Sequence, residues 1–513
     1  MALQAFRVED VRAAENAALA ATSEGALMQA AAAALAVGCA RQLRRTGTGK
    51  VTGRRVVLLV GAGNNGGDAL WAGARLAGRG AQVVAVLTGK QAHPEGLAAL
   101  RSAGGTEIDT AGDEQGPGVV AGLAAVGRAE LIVDGLVGLG ARPGLREPAA
   151  GLVAAIRPET LVVAVDLPSG VDPETGEIPG AAVQADLTVT FGAAKPCLLL
   201  PPASVAAGAV RVIDLGFGPY LPEQSQVERL DADDVARLWP VPAAGADKYR
   251  RGVLGVVAGS AGYPGAAVLA VSGALRTGLG MIRYLGPRDA TAAVRAAWPE
   301  VVAGTGQVQA WLLGPGVSPQ VDDDQPAAIA AALEADEPCL LDAGALAVLV
   351  QHLRNERDDR VVHAEVPDRS DRLLLTPHAG ELARLLTDLS DTGEQVERAE
   401  VEKEPYRYAR RAAAQTGATV LLKGATTLVV RPDGRARSQA EAPSWLATAG
   451  AGDVLAGIAG ALLASGLSPF DAGAVAAYVH GKAAAAASEG GPIVSGDVAD
   501  QIRATVAAVL TPV

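Results

Sequence analysis

Two sets of residues in this chain have types and spacings suited to chemistry. The denser is Ala447-Thr448-Ala449-Gly450-Ala451-Gly452-Asp453, followed by an expected apolar helix over 454–463. Backbone N–H groups of a Gly-Ala-Gly turn at a helix start can hold an arriving phosphoryl group, and the adjacent Asp453 can accept a hydroxyl proton. Upstream, Leu421-Leu422-Lys423-Gly424-Ala425-Thr426-Thr427 ends an apolar run with a lysine, a glycine turn and two hydroxyls, which suits a nucleotide phosphate or ribose. Leu375-Thr376-Pro377-His378-Ala379-Gly380-Glu381 offers an imidazole to a substrate and an acid able to orient magnesium-bound water. Gly314-Pro315-Gly316 and Leu341-Asp342-Ala343-Gly344 close two further runs.

The second set lies in the first half. Arg55-Val56-Val57-Leu58-Leu59-Val60 leads into Gly61-Ala62-Gly63-Asn64-Asn65-Gly66-Gly67-Asp68, with a helix expected from Ala69. The glycines permit close backbone approach, while two Asn and an Asp add side-chain oxygens that packing does not require. Leu131-Ile132-Val133-Asp134-Gly135 and Val162-Val163-Ala164-Val165-Asp166-Leu167-Pro168-Ser169-Gly170 end two more runs in acids. A single strand-end Asp is ordinarily a turn or cap residue, but three polar ends in one sheet mark a ligand position.

The elements that must hold these groups are legible as short Val, Leu and Ile runs at 56–60, 82–87, 131–136, 161–165, 186–191 and 210–215. A second series runs through 253–258, 281–285, 310–314, 339–342, 372–376, 419–423 and 427–431. Each is continuous rather than alternating, as strands covered by helices on both faces require, so two parallel α/β domains are predicted. Prolines at 219, 222, 240 and 242, with acids at 231, 233 and 234, break both periodicities. The expected division is therefore a first domain over 1–220, a linker over 221–245 and a second domain over 246–513. The charged stretches 354–372 and 388–405 read as solvated loops.

Composition narrows the function classes. The chain has 513 residues with 44 Lys and Arg against 56 Asp and Glu, a net charge of −12, which disfavours a polyanion-binding surface, so no nucleic acid partner is expected. Its 3 cysteines, at 39, 197 and 339, have neither disulfide nor zinc spacing. Glu9 and Asp10 precede any apolar run, unlike a secretion signal, and no uninterrupted uncharged apolar run reaches membrane-spanning length. A cytoplasmic protein without a membrane partner is expected.

The first-half motifs GAGNNGGD, VDGLVGLGARPG, AVDLPSGV and Phe191-Gly192-Ala193-Ala194-Lys195-Pro196 resemble those of the NAD(P)H-hydrate epimerases, the amino-terminal half of the bifunctional NAD(P)H-hydrate repair enzymes. The resemblance spans about residues 8–217. It implies a Rossmann-like domain in which Asn64, Asn65, Gly66, Gly67 and Asp68 line a site for hydrated NAD(P)H. Gly138, Leu139, Gly140, Ala141, Arg142, Pro143 and Gly144 would complete that lining. It further implies that Asp166 contacts the hydrated nicotinamide and that Asn65, Asp134 and Ser169 hold a potassium ion, a hard-oxygen set suited to such a cation. Epimerising a carbon that bears oxygen and nitrogen needs loss and return of the hydroxyl, or ring opening, and hence a proton shuttle, for which Asp166 is the candidate.

The second-half motifs resemble those of the ADP/ATP-dependent NAD(P)H-hydrate dehydratases, the carboxy-terminal half of the same enzymes, with a ribokinase-like fold. The match runs from about Asp247 to Asp500 through Gly259-Ser260-Ala261-Gly262-Tyr263-Pro264-Gly265-Ala266, LGPGV, TPHAGE, LLKGATT and ATAGAGDVLAG. By that resemblance Ala266, Gly316, His378 and Asp453 contact the hydrate. Lys423, Gly424, Ala425, Thr426, Thr427 and Gly452 contact the adenine nucleotide. ADP is the implied cosubstrate, Asp453 the general base, the Gly450 to Gly452 amides the anion hole, and Glu381 the residue that orients magnesium. Two motifs depart from the family: its Gly-Ser-Gly-Asp is Gly-Ala-Gly-Asp here, and its Asp-Ala-Asp is Asp342-Ala343-Gly344. A homo-oligomer is also implied. The competing readings are a ribokinase-like kinase of a small alcohol with a regulatory first domain, and a first domain that only binds nucleotide. His378, where many such kinases carry Asn, disfavours the kinase.

Overall fold

The computed structural model describes residues 2–23, 25–46, 49–89, 91–110, 116–140, 142–318, 324–358 and 366–511. Ala141 and the middle of the charged stretch 354–372 lie outside the described residues. The chain divides into two compact units, with the division between Val227 and Glu228.

In the first unit the sheet order is Thr106–Asp109, Gln82–Leu87, Arg55–Val60, Leu131–Gly135, Leu161–Val165, Leu187–Phe191 and Ala209–Ile213, every neighbouring pair parallel. One face packs under the helices Ala26–Arg45 and Asn64–Ala77, where Leu35, Cys39, Leu43, Leu70 and Leu76 meet Val56, Leu58 and Val133. On the opposite face Val57, Leu59 and Ile132 meet Val126 and Leu152 from the helices Pro117–Val126 and Ala149–Ala154. Both faces are thus covered, which is why the strands read as unbroken apolar runs. The helix Ala26–Arg45 is long and apolar enough to cross a membrane by length and composition. In the fold its apolar side is core, as the buried i, i+4 series Leu35, Cys39 and Leu43 shows.

The second unit carries a mixed sheet. Its central order is Thr419–Leu422, Leu373–Leu375, Cys339–Leu341, Ala310–Leu313, Val253–Val257 and Met281–Leu285, all parallel. Thr427–Val430 and Ala436–Gln439 extend it antiparallel. The helices Pro264–Arg276, Ala451–Ala464, Pro469–Ser488 and Ser495–Leu510 share one core with the sheet residues Leu254, Leu312, Leu340 and Leu374. Glycines let two of these helices touch: a Cβ on Gly457 would stand 2.1 Å from Ala270 O, and one on Gly273 2.4 Å from Val454 O.

Four differences from the sequence reading have physical causes. The segment expected as a linker is not uniform, because Asp231 and Asp234 form a reciprocal capping box on the helix Ala232–Leu238, and Leu230, Val235 and Trp239 join the second core. The acidic stretch 388–405 contains the helix Arg398–Lys403, anchored by buried Val401. The strands Thr106–Asp109 and Ala436–Gln439 were missed because their residues are largely polar. Finally, both site helices begin earlier than expected, at Asn64 rather than Ala69 and at Ala451 rather than Val454.

Candidate active sites

The early start of the first helix sets the geometry of the first site. Asn65 and Asp68 stand three residues apart on one helical face, and both line a cavity of about 480 Å³. The sequence-predicted Asn64, Gly138, Leu139, Gly140 and Asp166 line it too. Gly66 and Gly67 are instead buried within the helix, and Arg142, Pro143 and Gly144 lie beyond the lining. Gly144 N donates to Gly170 O at 2.8 Å, which ties this loop to the turn after Asp166.

Asp166 follows the strand Leu161–Val165 and sits in the left-handed region at φ 69°, a strained conformation for an aspartate. Its Oδ1 accepts from Thr190 Oγ1 at 3.0 Å and Phe191 N at 3.3 Å, and pairs with Lys195 Nζ. Lys195 is buried to 1 % exposure and also donates to Thr190 Oγ1 at 3.0 Å and Phe191 O at 3.2 Å. Glu15 and Asp68 share the cavity. Burial, then Asp166 and Glu15, push Asp68 well above the carboxylate range. Burial and Asp166 also raise Glu15, against Lys195 and Arg12.

Below the cavity, Asp134 is wholly buried and binds the neighbouring turn. Its Oδ2 accepts from Ser169 N at 2.8 Å, and its Oδ1 from Ser169 Oγ at 2.6 Å and Leu136 N at 3.3 Å. Asn65 Nδ2 donates to Val137 O at 3.0 Å and Val165 O at 2.9 Å. Burial pushes Asp134 up to about 6, against its bonds to Ser169 and Leu136, and no cation is among the groups acting on it.

The second site forms where adjacent parallel strands end side by side. Asp342, Thr376 and Lys423 follow the neighbouring strands Cys339–Leu341, Leu373–Leu375 and Thr419–Leu422. Asp342 Oδ1 accepts from Lys423 Nζ at 2.8 Å and Thr376 Oγ1 at 2.9 Å. Next to Asp342, Ala343 adopts φ 45°. His378 caps the helix Ala379–Asp388: its Nδ1 accepts from Gly380 N at 3.0 Å and Glu381 N at 3.2 Å. Glu381 Oε2 in turn accepts from His378 N at 2.8 Å and stands 3.5 Å from Lys423 Nζ. Burial works against the charge of Lys423, but Asp342, Glu381 and Asp453 outweigh it and its pKa lies above the usual lysine value.

Asp453 is the third residue of its helix, after Gly450 at φ 87° has turned the chain. Burial and then Asp342 raise its pKa, Lys423 opposes them, Glu381 adds to them, and the value is about 7. That suits a base working near neutrality. His378, Lys423, Gly424, Ala425, Thr427 and Gly452 line a cavity of about 580 Å³; Thr426 and Asp453 are outside its lining. Ala266 and Gly316 meet elsewhere, since a Cβ on Gly316 would stand 2.6 Å from that of Ala266.

Sequence reasoning gave no role to Glu15, Thr190 or Lys195, although Lys195 stood in a quoted motif. It also gave none to His480, buried in the helix Pro469–Ser488 and lining the 580 Å³ cavity. No local signal marks His480, because only packing brings that helix to the cavity.

Two α/β domains, each with its polar groups at strand ends, define an enzyme with two small-molecule sites. A sequence profile described as NAD(P)H-hydrate dehydratase matches residues 254–505, and one described as YjeF-related protein N-terminus matches residues 24–197. The bifunctional NAD(P)H-hydrate repair enzyme of Mycobacterium leprae is 42% identical over 502 residues, covering 96% of this chain and 95% of its own. That of Mycobacterium tuberculosis (strain ATCC 25618 / H37Rv) is 42% identical over 476 residues, covering 91% of each. The ADP/ATP-dependent NAD(P)H-hydrate dehydratase of Bacillus subtilis, co-crystallized with ATP/Mg2+, superposes with TM-score 0.47 at 26% identity, covering 55% of this chain and 98% of its own. This chain belongs to the family of bifunctional NAD(P)H-hydrate repair enzymes. The relatives match through both halves, which leaves the small-alcohol kinase without support.

Proposed function

We propose that the first domain interconverts the R and S forms of hydrated NADH and NADPH, and that the second returns the S form to the reduced dinucleotide while ADP becomes AMP and phosphate. The observation that carries the second step is Asp453, a carboxylate near pKa 7 at a glycine-turned helix start and within the field of Lys423. Asp453 takes the hydrate's hydroxyl proton as the oxygen attacks the terminal phosphate of ADP. The amides of Gly450 to Gly452 receive the phosphoryl group, and Lys423 with Gly424, Ala425, Thr426 and Thr427 holds the nucleotide. The ring nitrogen's lone pair expels phosphate with its C–O bonding pair, and loss of a proton from the neighbouring ring carbon to water or to the departing phosphate leaves the C–H pair as the restored ring double bond. Ala266, Gly316 and His378 contact the hydrate.

In the first domain Asp166 carries the proton while Asn64 to Asp68 and the 138–144 loop hold the dinucleotide. Asn65, Asp134 and Ser169 suit a potassium ion, because a wholly buried carboxylate without a cationic side chain gains from a monovalent cation beside it. A potassium ion held by these three residues would supply that charge. Magnesium fits less directly. Glu381 is engaged by His378 N, and no cluster of three metal-ligating side chains occurs among the described residues, so the nucleotide phosphates would hold magnesium, Glu381 would be the side chain that orients it, and the ion would supply positive charge to the phosphates. A cytoplasmic homo-oligomer completes the reading, and light scattering on the purified protein tests the assembly.

The test is to mix the purified chain with S-hydrate and ADP and follow the reduced-nicotinamide absorbance. Recovery is expected, and Asp453→Asn should abolish it while R and S exchange persists. No recovery with the unaltered chain removes the reading.

A further inference from the structure

The first cavity holds a carboxyl that the mechanism above places against the dinucleotide without using its proton. Asp68 is 6 % exposed and lines the cavity, yet its Oδ1 has no hydrogen-bond partner among the described residues. A buried carboxylate oxygen without a donor is costly if ionised, so the site must supply either a cation or a proton. Among the described residues, the charged groups acting on Asp68 are the acids Asp166 and Glu15. Asp68 also lies beyond the first turn of its helix, where the dipole would favour a negative charge. Across the same cavity Asp166 is the opposite case, with Lys195, Thr190 Oγ1 and Phe191 N all on its Oδ1. One pocket therefore holds a carboxyl paired with a lysine and two further donors and a carboxyl with an unpartnered oxygen, an asymmetry of the kind that assigns base and acid in paired-carboxyl sites.

We propose that Asp68 is the general acid of epimerisation, giving its proton to the ring nitrogen of the hydrate while Asp166 takes the proton of the hydroxyl, so that the ring opens and recloses. The O–H electron pair becomes the carbonyl of an aldehyde. The bond between that carbon and the ring nitrogen breaks, its pair stays on nitrogen, and Asp68 protonates it. Rotation about the adjacent single bond presents the other face of the aldehyde. Reclosure returns both protons, so each carboxyl ends the cycle as it began and no co-reactant is consumed. This assignment rests on reading the first cavity as the epimerisation site.

The test uses the full-length protein. Exchange between R- and S-hydrate is followed by chromatography for the unaltered chain and for Asp68→Asn, which keeps the side chain's shape but has no acidic proton to give. The expected result is a fall in kcat of roughly 100-fold or more with KM little changed, in the range general acids contribute. A variant exchanging at the unaltered rate, or losing only affinity, overturns the assignment. A second measurement needs no variant: in water labelled at oxygen, ring opening keeps the original oxygen through each exchange, apart from the slower hydration of a free aldehyde. Label entering with every exchange overturns ring opening. If the unaltered chain exchanges no epimers at all, the functional reading itself fails, which is a distinct outcome.

Discussion

Lys423 Nζ lies 2.8 Å from Asp342 Oδ1, joining the ends of two strands separated in the sheet by only one other. Asp342, Glu381 and Asp453 all act on this one ammonium, so it sets both where a nucleotide phosphate is attracted and how basic Asp453 becomes. Lys423→Met should therefore raise the KM for ADP and slow dehydration by at least tenfold, with R and S exchange unchanged. Steady-state kinetics of both reactions check it.

The pH dependence follows from Asp453, whose pKa of about 7 is above the ordinary 3.8. A general base works only when ionised, so dehydration kcat/KM should fall about tenfold per pH unit below about 7 and level off above it. Lys423 lowers this pKa, so Lys423→Met should move the midpoint to higher pH. A profile flat from pH 5 to 8 would remove Asp453 as the base.

In the first domain, Lys195→Met leaves the carboxylate of Asp166 buried without its cation. Breaking a buried pair from one side costs about 3–5 kcal/mol, and epimer exchange should fall with it. Chemical denaturation of the first domain and an exchange assay report the two effects. Dehydration of S-hydrate by the second domain should be spared.

Potassium should raise the melting temperature of the first domain more than an equal concentration of a bulky monovalent salt. At a hundredfold excess over its Kd the linkage amounts to about 2.7 kcal/mol. Asp134→Asn removes the buried charge and should abolish the difference; calorimetry with the two salts checks it.

The contact that seats the Asp453 helix is equally testable. Gly457→Ala puts a methyl 2.1 Å from Ala270 O, so the helices must part and the second domain should lose about 1–3 kcal/mol. Dehydration should weaken as well, since the same helix carries Asp453.

Much of this protein is legible one residue at a time. The apolar runs predict the central strands because helices cover both sheet faces and select unbroken Val, Leu and Ile; the polar residues that end those runs mark the sites because parallel strands present their carboxyl ends together. The limits are equally physical. Asn64 to Asp68 look like a loop until the helix is seen to begin at Asn64, because glycines weaken helical propensity locally while packing overrides it. That register alone puts Asn65 and Asp68 on one face. His480 carries no local mark, and the motif that contains Lys195 does not reveal its role, since a lysine or histidine reads as a surface group until tertiary packing buries it. Which acids gain a cationic partner was likewise decided only in three dimensions. Asp166 and Asp68 are the same residue type in the same cavity, and they differ because the fold pairs Lys195 with one while, among the described residues, only the acids Asp166 and Glu15 act on the other.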